Sequence, residues 1–166
     1  MEGGGTGSRT VTSRAPALAS APPAGTLRGV AVPARLTQRE HSKVLARLRA
    51  PRRVLIVDDH PSFRRCARDL MTAEGFSVVG EAEDGASALA LARELAPELV
   101  LLDIRLPDLD GFAVARQLLA HDPKVVVILV SSRERAEYGS LIEENGARGF
   151  VSKGDLSGDV IERLLE

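Results

Sequence analysis

Cysteine is almost absent from this 166-residue chain: Cys66 stands alone. One thiol excludes an intrachain disulfide and fits a reducing compartment. Long apolar runs are missing too. None approaches the roughly 18 residues of a membrane span, so no membrane partner is expected. The N-terminal stretch has Arg, Pro and Gly but no continuous hydrophobic block, which argues against a secretory signal. Its arginines and serines, with few acids, would also suit an organelle transit peptide. The character of the chain beyond it favours a cytoplasmic location instead. No GxxxxGK[ST] run occurs, so a Walker nucleotide site is excluded.

The net charge of -1 conceals a division. Residues 1–53 carry ten Lys/Arg against two acids, a surplus of +8; the remainder carries twelve against twenty-one, or -9. A basic arm is joined to an acidic body. Residues 1–35 are rich in Gly, Ala, Pro, Ser and Thr, as in GGGTGS and ALASAPPAGT, and have no periodicity or aromatic residue. Such a segment buries too little apolar area to offset its ordering entropy and reads as disordered. Thr37 and Glu40 have capping-box spacing, with Val44, Leu45 and Leu48 following, so a short helix is expected over 37–49, ended by Pro51. The domain division is placed at 52/53. The arm reads either as a solvated, partly helical linker or as a docking arm for nucleic acid or for the acidic body.

From residue 53 strand-like runs alternate with helical periodicity. The runs are Val54–Val57, Ser77–Ala82, Leu99–Leu102, Val125–Val130 and Gly149–Ser152. Between and after them lie expected helices over Ser62–Glu74, Ala86–Ala96, Phe112–His121, Glu134–Asn145 and Leu156–Leu165. Phe63, Ala67, Leu70 and Met71 share one helical face, as do Phe112, Ala115, Leu118 and Leu119. Strands apolar throughout suit burial on both faces of a parallel sheet. The pattern is that of a doubly wound α/β domain of five strands.

Ligands of such folds bind beyond the carboxyl ends of the strands, where strand order reverses. The residues just past each strand are therefore informative. VLIVDDHPSF puts Asp58 and Asp59 after the first, Glu83, Asp84 and Gly85 follow the second, and LLDIRLPDLDG puts Asp103 after the third. VILVSSR puts Ser131 after the fourth and GFVSKG puts Lys153 after the fifth. Adjacent like charges such as Asp58 and Asp59 raise the cost of ionising one another. A hard cation removes that cost. Few oxygen ligands, with room for water and phosphate, favour Mg²⁺. A carboxylate beside a metal can attack phosphorus and form an aspartyl phosphate, and the phosphoryl oxygens then need the metal, a point cation and a hydrogen-bond donor.

With these residues in view, 53–166 resembles the receiver domain of two-component response regulators. The acidic pair of VLIVDDHP, the DIRLPDLDG segment, the strand ending in Ser131 and the FVSK segment all match, with Ser131 and Lys153 28 and 50 residues after Asp103. The resemblance implies a flavodoxin-like sheet in the order 2-1-3-4-5. It implies that Asp103 accepts a phosphoryl group from a sensor histidine kinase or phosphotransfer protein. Asp59 would bind Mg²⁺ directly, Asp58 partly through water, and the Arg105 backbone carbonyl would add a ligand. Ser131 would close over the phosphoryl group and Lys153 would pair with it. Phe150 stands at the family's switch aromatic, Pro107 and Gly111 would shape the loop after Asp103, and small Ser132 would leave room for phosphoryl access. Arg105 and Arg133 occupy positions that tune phosphate lifetime in the family. Phosphorylation would then shift a two-state equilibrium of the face formed by the fourth helix, fifth strand and fifth helix.

Bland readings stand beside these. Asp58 alone would suit a helix cap, with Pro61 in the first turn. His60 reads as the start of the first helix more readily than as a metal ligand. Cys66 reads as packing within that helix, and His121 as a favourable charge at a helix C-terminus. An aspartyl-phosphate phosphatase of the haloacid dehalogenase type needs a second acid two residues after the nucleophile, where this chain has Arg105. DDHPSFR and EAEDG are most similar to receivers that precede a helix-turn-helix output domain, yet no recognition-helix segment follows in this sequence. The expectation is a single-domain phosphoacceptor signalling protein, not an enzyme, acting on a downstream protein target. The alternative is a transcriptional regulator lacking or having lost its DNA-binding output domain. Specific DNA readout needs a positioned element, so nucleic acid enters only through weak contacts of the arm.

Overall fold

The computed structural model describes residues 50–166. The helix expected over 37–49 and nearly all of the basic arm lie outside the described residues. Five strands are formed: β1 (Arg53–Val57), β2 (Ser77–Ala82), β3 (Leu99–Asp103), β4 (Val126–Ser131) and β5 (Gly149–Ser152). They alternate with helices α1 (Pro61–Ala73), α2 (Gly85–Leu95), α3 (Gly111–His121), α4 (Leu141–Glu144) and α5 (Gly158–Leu165). All strand pairs are parallel and the order is β2-β1-β3-β4-β5, as the resemblance implied.

Each strand buries alternate residues on opposite faces. Leu55, Val57, Val100, Leu102, Val127 and Leu129 pack in one layer with α2 and α3. Val54, Ile56, Leu99, Leu101, Ile128 and Val130 pack in the other with Ala67, Met71 and Ile161 of α1 and α5. The central strands β1, β3 and β4 are almost wholly buried, whereas the edge strands β2 and β5 are mostly half-buried. Burying one such Val, Leu or Ile side chain contributes roughly 2 kcal/mol. That gain favours the register that places both layers inside.

Three expectations are corrected. The continuous helix expected over Glu134–Asn145 is interrupted. A 3-10 turn spans Arg135–Glu137, Gly139 takes φ +55°, and the helix proper is confined to Leu141–Glu144. Periodicity alone does not register such a break, because Gly139 permits both conformations. The last helix likewise begins later than Leu156, after a 3-10 turn over Lys153–Asp155. Cys66 is exposed and does not pack in the core. It lies beside the inward-facing Ala67, one step around α1, and that single step carries its side chain into solvent.

Candidate functional site

The sheet order brings the chemistry together. β1 and β3 are neighbours, so the turns after Val57 and Leu102 open side by side although Asp58 and Asp103 are 45 residues apart. β4 adds Ser131 next to β3, and β5 adds Lys153 just beyond Ser152.

Asp58 is fully buried and its Oδ1 accepts a hydrogen bond from the His60 amide at 2.9 Å. It thereby closes the turn before α1 and does not cap the helix: His60 holds the N-cap position, and Pro61 follows in the first turn. The His60 imidazole Nδ1 lies 2.6 Å from Asp59 Oδ1 and 3.4 Å from Asp58 Oδ1. So His60 both starts the helix, as expected, and faces the carboxylates. Asp59, Asp58, His60 and Asp103 offer ligand atoms all within 4.8 Å of one another, a group able to hold a metal ion.

Asp103 is 3% exposed. Its Oδ1 accepts from the Arg105 amide at 3.2 Å and its Oδ2 from Lys153 Nζ at 2.9 Å. Lys153 Nζ also lies 2.5 Å from Asp58 Oδ2, an oxygen that is buried without a hydrogen bond of proper geometry. The ammonium bridges two buried carboxylates and sits 4.8 Å from the centre of the Phe63 ring. Burial raises the pKa of Asp103 above the ordinary carboxylate value, and the hydrogen bonds from Lys153 and the Arg105 amide recover only part of that shift. Burial pushes Lys153 down, but Asp58 and Asp103 outweigh it, and its pKa ends above that of a free lysine. The lysine is therefore charged at neutral pH.

The loop after β3 is fixed at several points. Ile104 N–H donates to the Val130 carbonyl, and Gly111 N–H to the Ile104 carbonyl. A Cβ on Gly111 would stand 2.4 Å from the Asp103 carbonyl oxygen, so only glycine permits this approach. Asp110 caps α3 by accepting from the Phe112 amide at 3.0 Å. The exposed Asp108 accepts from the Gly85 and Ala86 amides at 2.7 and 2.9 Å, tying the loop to the start of α2. These amides, Gly85 first, hold its pKa below the ordinary value. Asp84 serves as the cap of α2 through the Ser87 amide and takes no part in the acidic cluster.

Ser131 is 1% exposed. Its Oγ accepts from the Arg133 amide at 3.1 Å and lies 2.7 Å from the Tyr138 hydroxyl. Phe150 is half-buried and meets Tyr138 at 5.8 Å between ring centres. Tyr138 also meets Phe112 edge-on at 5.7 Å. Sequence reasoning missed Tyr138 and Asp108. Tyr138 lies seven residues after Ser131 in a stretch that read as helix. Only its being the sole tyrosine marked it out. An open cleft of about 420 Å³ is lined by Asp59, His60, Asp103, Arg105, Ser131 and Lys153 among others.

The site thus gathers the residues expected at the ends of β1, β3, β4 and β5. The donor set, three carboxylates with one imidazole beside them, is rich in oxygen and suits a hard cation. Fold and site together define a parallel α/β domain with an acidic, lysine-bridged rim at the topological switch point. The sequence model of the response regulator receiver domain matches residues 54–164, and the chain belongs to that family. Among curated relatives, BvgA of Bordetella pertussis, named for transcription regulation of virulence factors, is 39% identical over 109 residues, covering 66% of this chain and 52% of BvgA. The response regulator GacA of Pseudomonas aeruginosa is 39% identical over 103 residues, covering 61% and 48%. The chain spans about half the length of these relatives. Among solved structures, the receiver domain of NarL from Mycobacterium tuberculosis superposes with a TM-score of 0.62 at 33% identity, covering 70% of this chain and 98% of that one. A chain of the CheX–CheY–BeF₃–Mg complex from Borrelia burgdorferi gives 0.63 at 26%, covering 69% and 87%.

Proposed function

We propose that the described domain is an Mg²⁺-dependent phosphoacceptor: Asp103 takes a phosphoryl group from the phosphohistidine of a sensor kinase or phosphotransfer protein. The observation that carries this reading is the buried Asp103 carboxylate held by Lys153 beside Asp58 and Asp59. An Asp103 oxygen attacks phosphorus, the P–N bond breaks, the imidazole leaves with that electron pair, and an acyl phosphate forms. Asp103 must be ionised to attack. Burial opposes this, and Lys153, charged and in contact, offsets the opposition. After transfer the negative charge moves outward onto the phosphoryl oxygens. Lys153 is placed to follow it, and the Ser131 hydroxyl to donate a hydrogen bond to it. Asp59, Asp103 and the Arg105 carbonyl would hold Mg²⁺, with Asp58 supporting. When bound, the ion neutralises the converging oxygens and the transferring charge.

Phe150 serves as the aromatic that responds to Ser131. The output is a change of surface near α4, β5 and α5, read by a protein partner. Arm and receiver divide near residue 52, and the protein is cytoplasmic. A second reading is supported by BvgA, which is named for transcription regulation and is about twice as long as the matched segment: the receiver would serve a transcriptional regulator.

The test is acid-labile phosphate incorporation from acetyl phosphate or a phosphorylated kinase. Wild type should incorporate label only with Mg²⁺, and Asp103→Asn should incorporate none while keeping its far-UV spectrum. Equal labelling of the two proteins defeats the assignment.

A further inference from the structure

Ser131 is surrounded by partners, but none of them is Asp103. Its Oγ already accepts from the Arg133 amide, and its nearest side-chain partner is the Tyr138 hydroxyl at 2.7 Å. Two hydroxyl groups share this contact, and one must donate. If Tyr138 donated, the single Ser131 proton would be left without an acceptor at a residue 1% exposed, which costs the desolvation of that group. If Ser131 donates, the Tyr138 proton is the one left over, on a residue that is only half-buried and can give it to water. Either hydroxyl could donate in this contact; burial favours the arrangement in which Ser131 gives its proton to Tyr138.

That proton is the one the phosphoacceptor reading needs. We propose that Tyr138 is a latch, a positioning residue that holds the Ser131 hydroxyl turned from Asp103 until phosphorylation outcompetes it. The inference rests on the reading of Asp103 as phosphoacceptor and adds a residue to it. Three features hold the latch in place. The Phe112 ring meets Tyr138 edge-on and the Phe150 ring lies tilted against it. The chain reverses at Gly139, with φ +55°, where a continuous helix would otherwise run. Tyr138 also touches Phe150, so freeing the phenol loosens the aromatic on β5 as well. One bond thus opposes both the capture of the phosphoryl group and the rearrangement that follows it.

The consequence is quantitative. Turning Ser131 toward the phosphoryl group requires breaking the latch, which costs one ordinary hydrogen bond, about fivefold in an equilibrium constant. Beryllofluoride with Mg²⁺, titrated calorimetrically into the full chain, is the probe. Tyr138→Phe keeps the ring and loses the hydroxyl, and should bind about fivefold tighter than wild type. Tyr138→Leu, which also lacks the hydroxyl, should shift in the same direction. In a Ser131→Ala background, Tyr138→Phe should change nothing, because the bond is already gone; a role in packing alone would persist there. Unchanged or weaker binding by Tyr138→Phe, or an equal gain in the Ser131→Ala background, overturns the latch. Failure of wild type to bind beryllofluoride, or equal binding by Asp103→Asn, overturns the phosphoacceptor reading instead.

Discussion

At the scale of single residues, the site is built against its own stability. Asp103 sits where ionisation is penalised, and its pKa is raised by burial first. A group whose folded pKa is raised contributes stability below its unfolded value near 3.8, and that contribution is lost as pH rises through the folded pKa. The contribution therefore shrinks as pH rises above the unfolded value. Asp103→Asn removes the charge and should therefore raise the melting temperature of the metal-free protein at pH 7. Below about pH 4 wild-type Asp103 is protonated too, and the difference should vanish. A thermal melt series from pH 3 to 8 checks both the gain and its disappearance. A residue whose removal stabilises the fold while abolishing phosphate uptake is kept for chemistry and not for structure. Lys153 is the counterweight. It is the point charge that lets Asp58 and Asp103 stay buried together, and its own raised pKa records that service.

At the scale of elements, most of the architecture was legible. Strand ends carried the signal, because each apolar run stops at a polar residue that the sheet places at the rim. Asp58, Asp103, Ser131 and Lys153 could be placed on one rim from strand order alone. The interrupted α4 was not legible. Glu134–Asn145 has helical composition, and Gly139 fits a helix or a left-handed turn equally well. Cys66 failed for a related reason, since one step around a helix separates core from solvent and neighbouring small residues do not reveal which. Asp108 was hidden because it lies in a loop that sequence cannot orient toward its partners, the Gly85 and Ala86 amides at the start of α2. The Gly139 position yields a prediction. No atom lies within 4 Å of a Cβ built there, so a side chain is opposed only by its φ of +55°. Alanine in that conformation costs about 1 kcal/mol, while in a continuous helix it gains a similar amount over glycine. Gly139→Ala should therefore extend α4 toward Arg135, seen as increased helical signal at 222 nm. An unchanged spectrum would show that other contacts impose the turn.

At the scale of the whole molecule, one topology does two jobs. The order β2-β1-β3-β4-β5 seals two apolar layers, and the same reversal between β1 and β3 converges the carboxylates. Site and core are therefore coupled, and a ligand at the rim should stabilise the entire domain. Mg²⁺ at ten times its dissociation constant should add about 1.4 kcal/mol and raise the melting temperature by several degrees. Asp59→Ala should lose most of that gain while melting normally without the ion. A metal response that survives in Asp59→Ala would place the ion elsewhere.

The chain has no tryptophan and one tyrosine, and that tyrosine is Tyr138. Its intrinsic ultraviolet emission on excitation near 280 nm thus arises from a single ring, already seated against Ser131 and Phe150. That ring would serve as an unlabelled optical reporter at the proposed joint between phosphate capture and surface change, one that stopped-flow fluorescence can follow in real time.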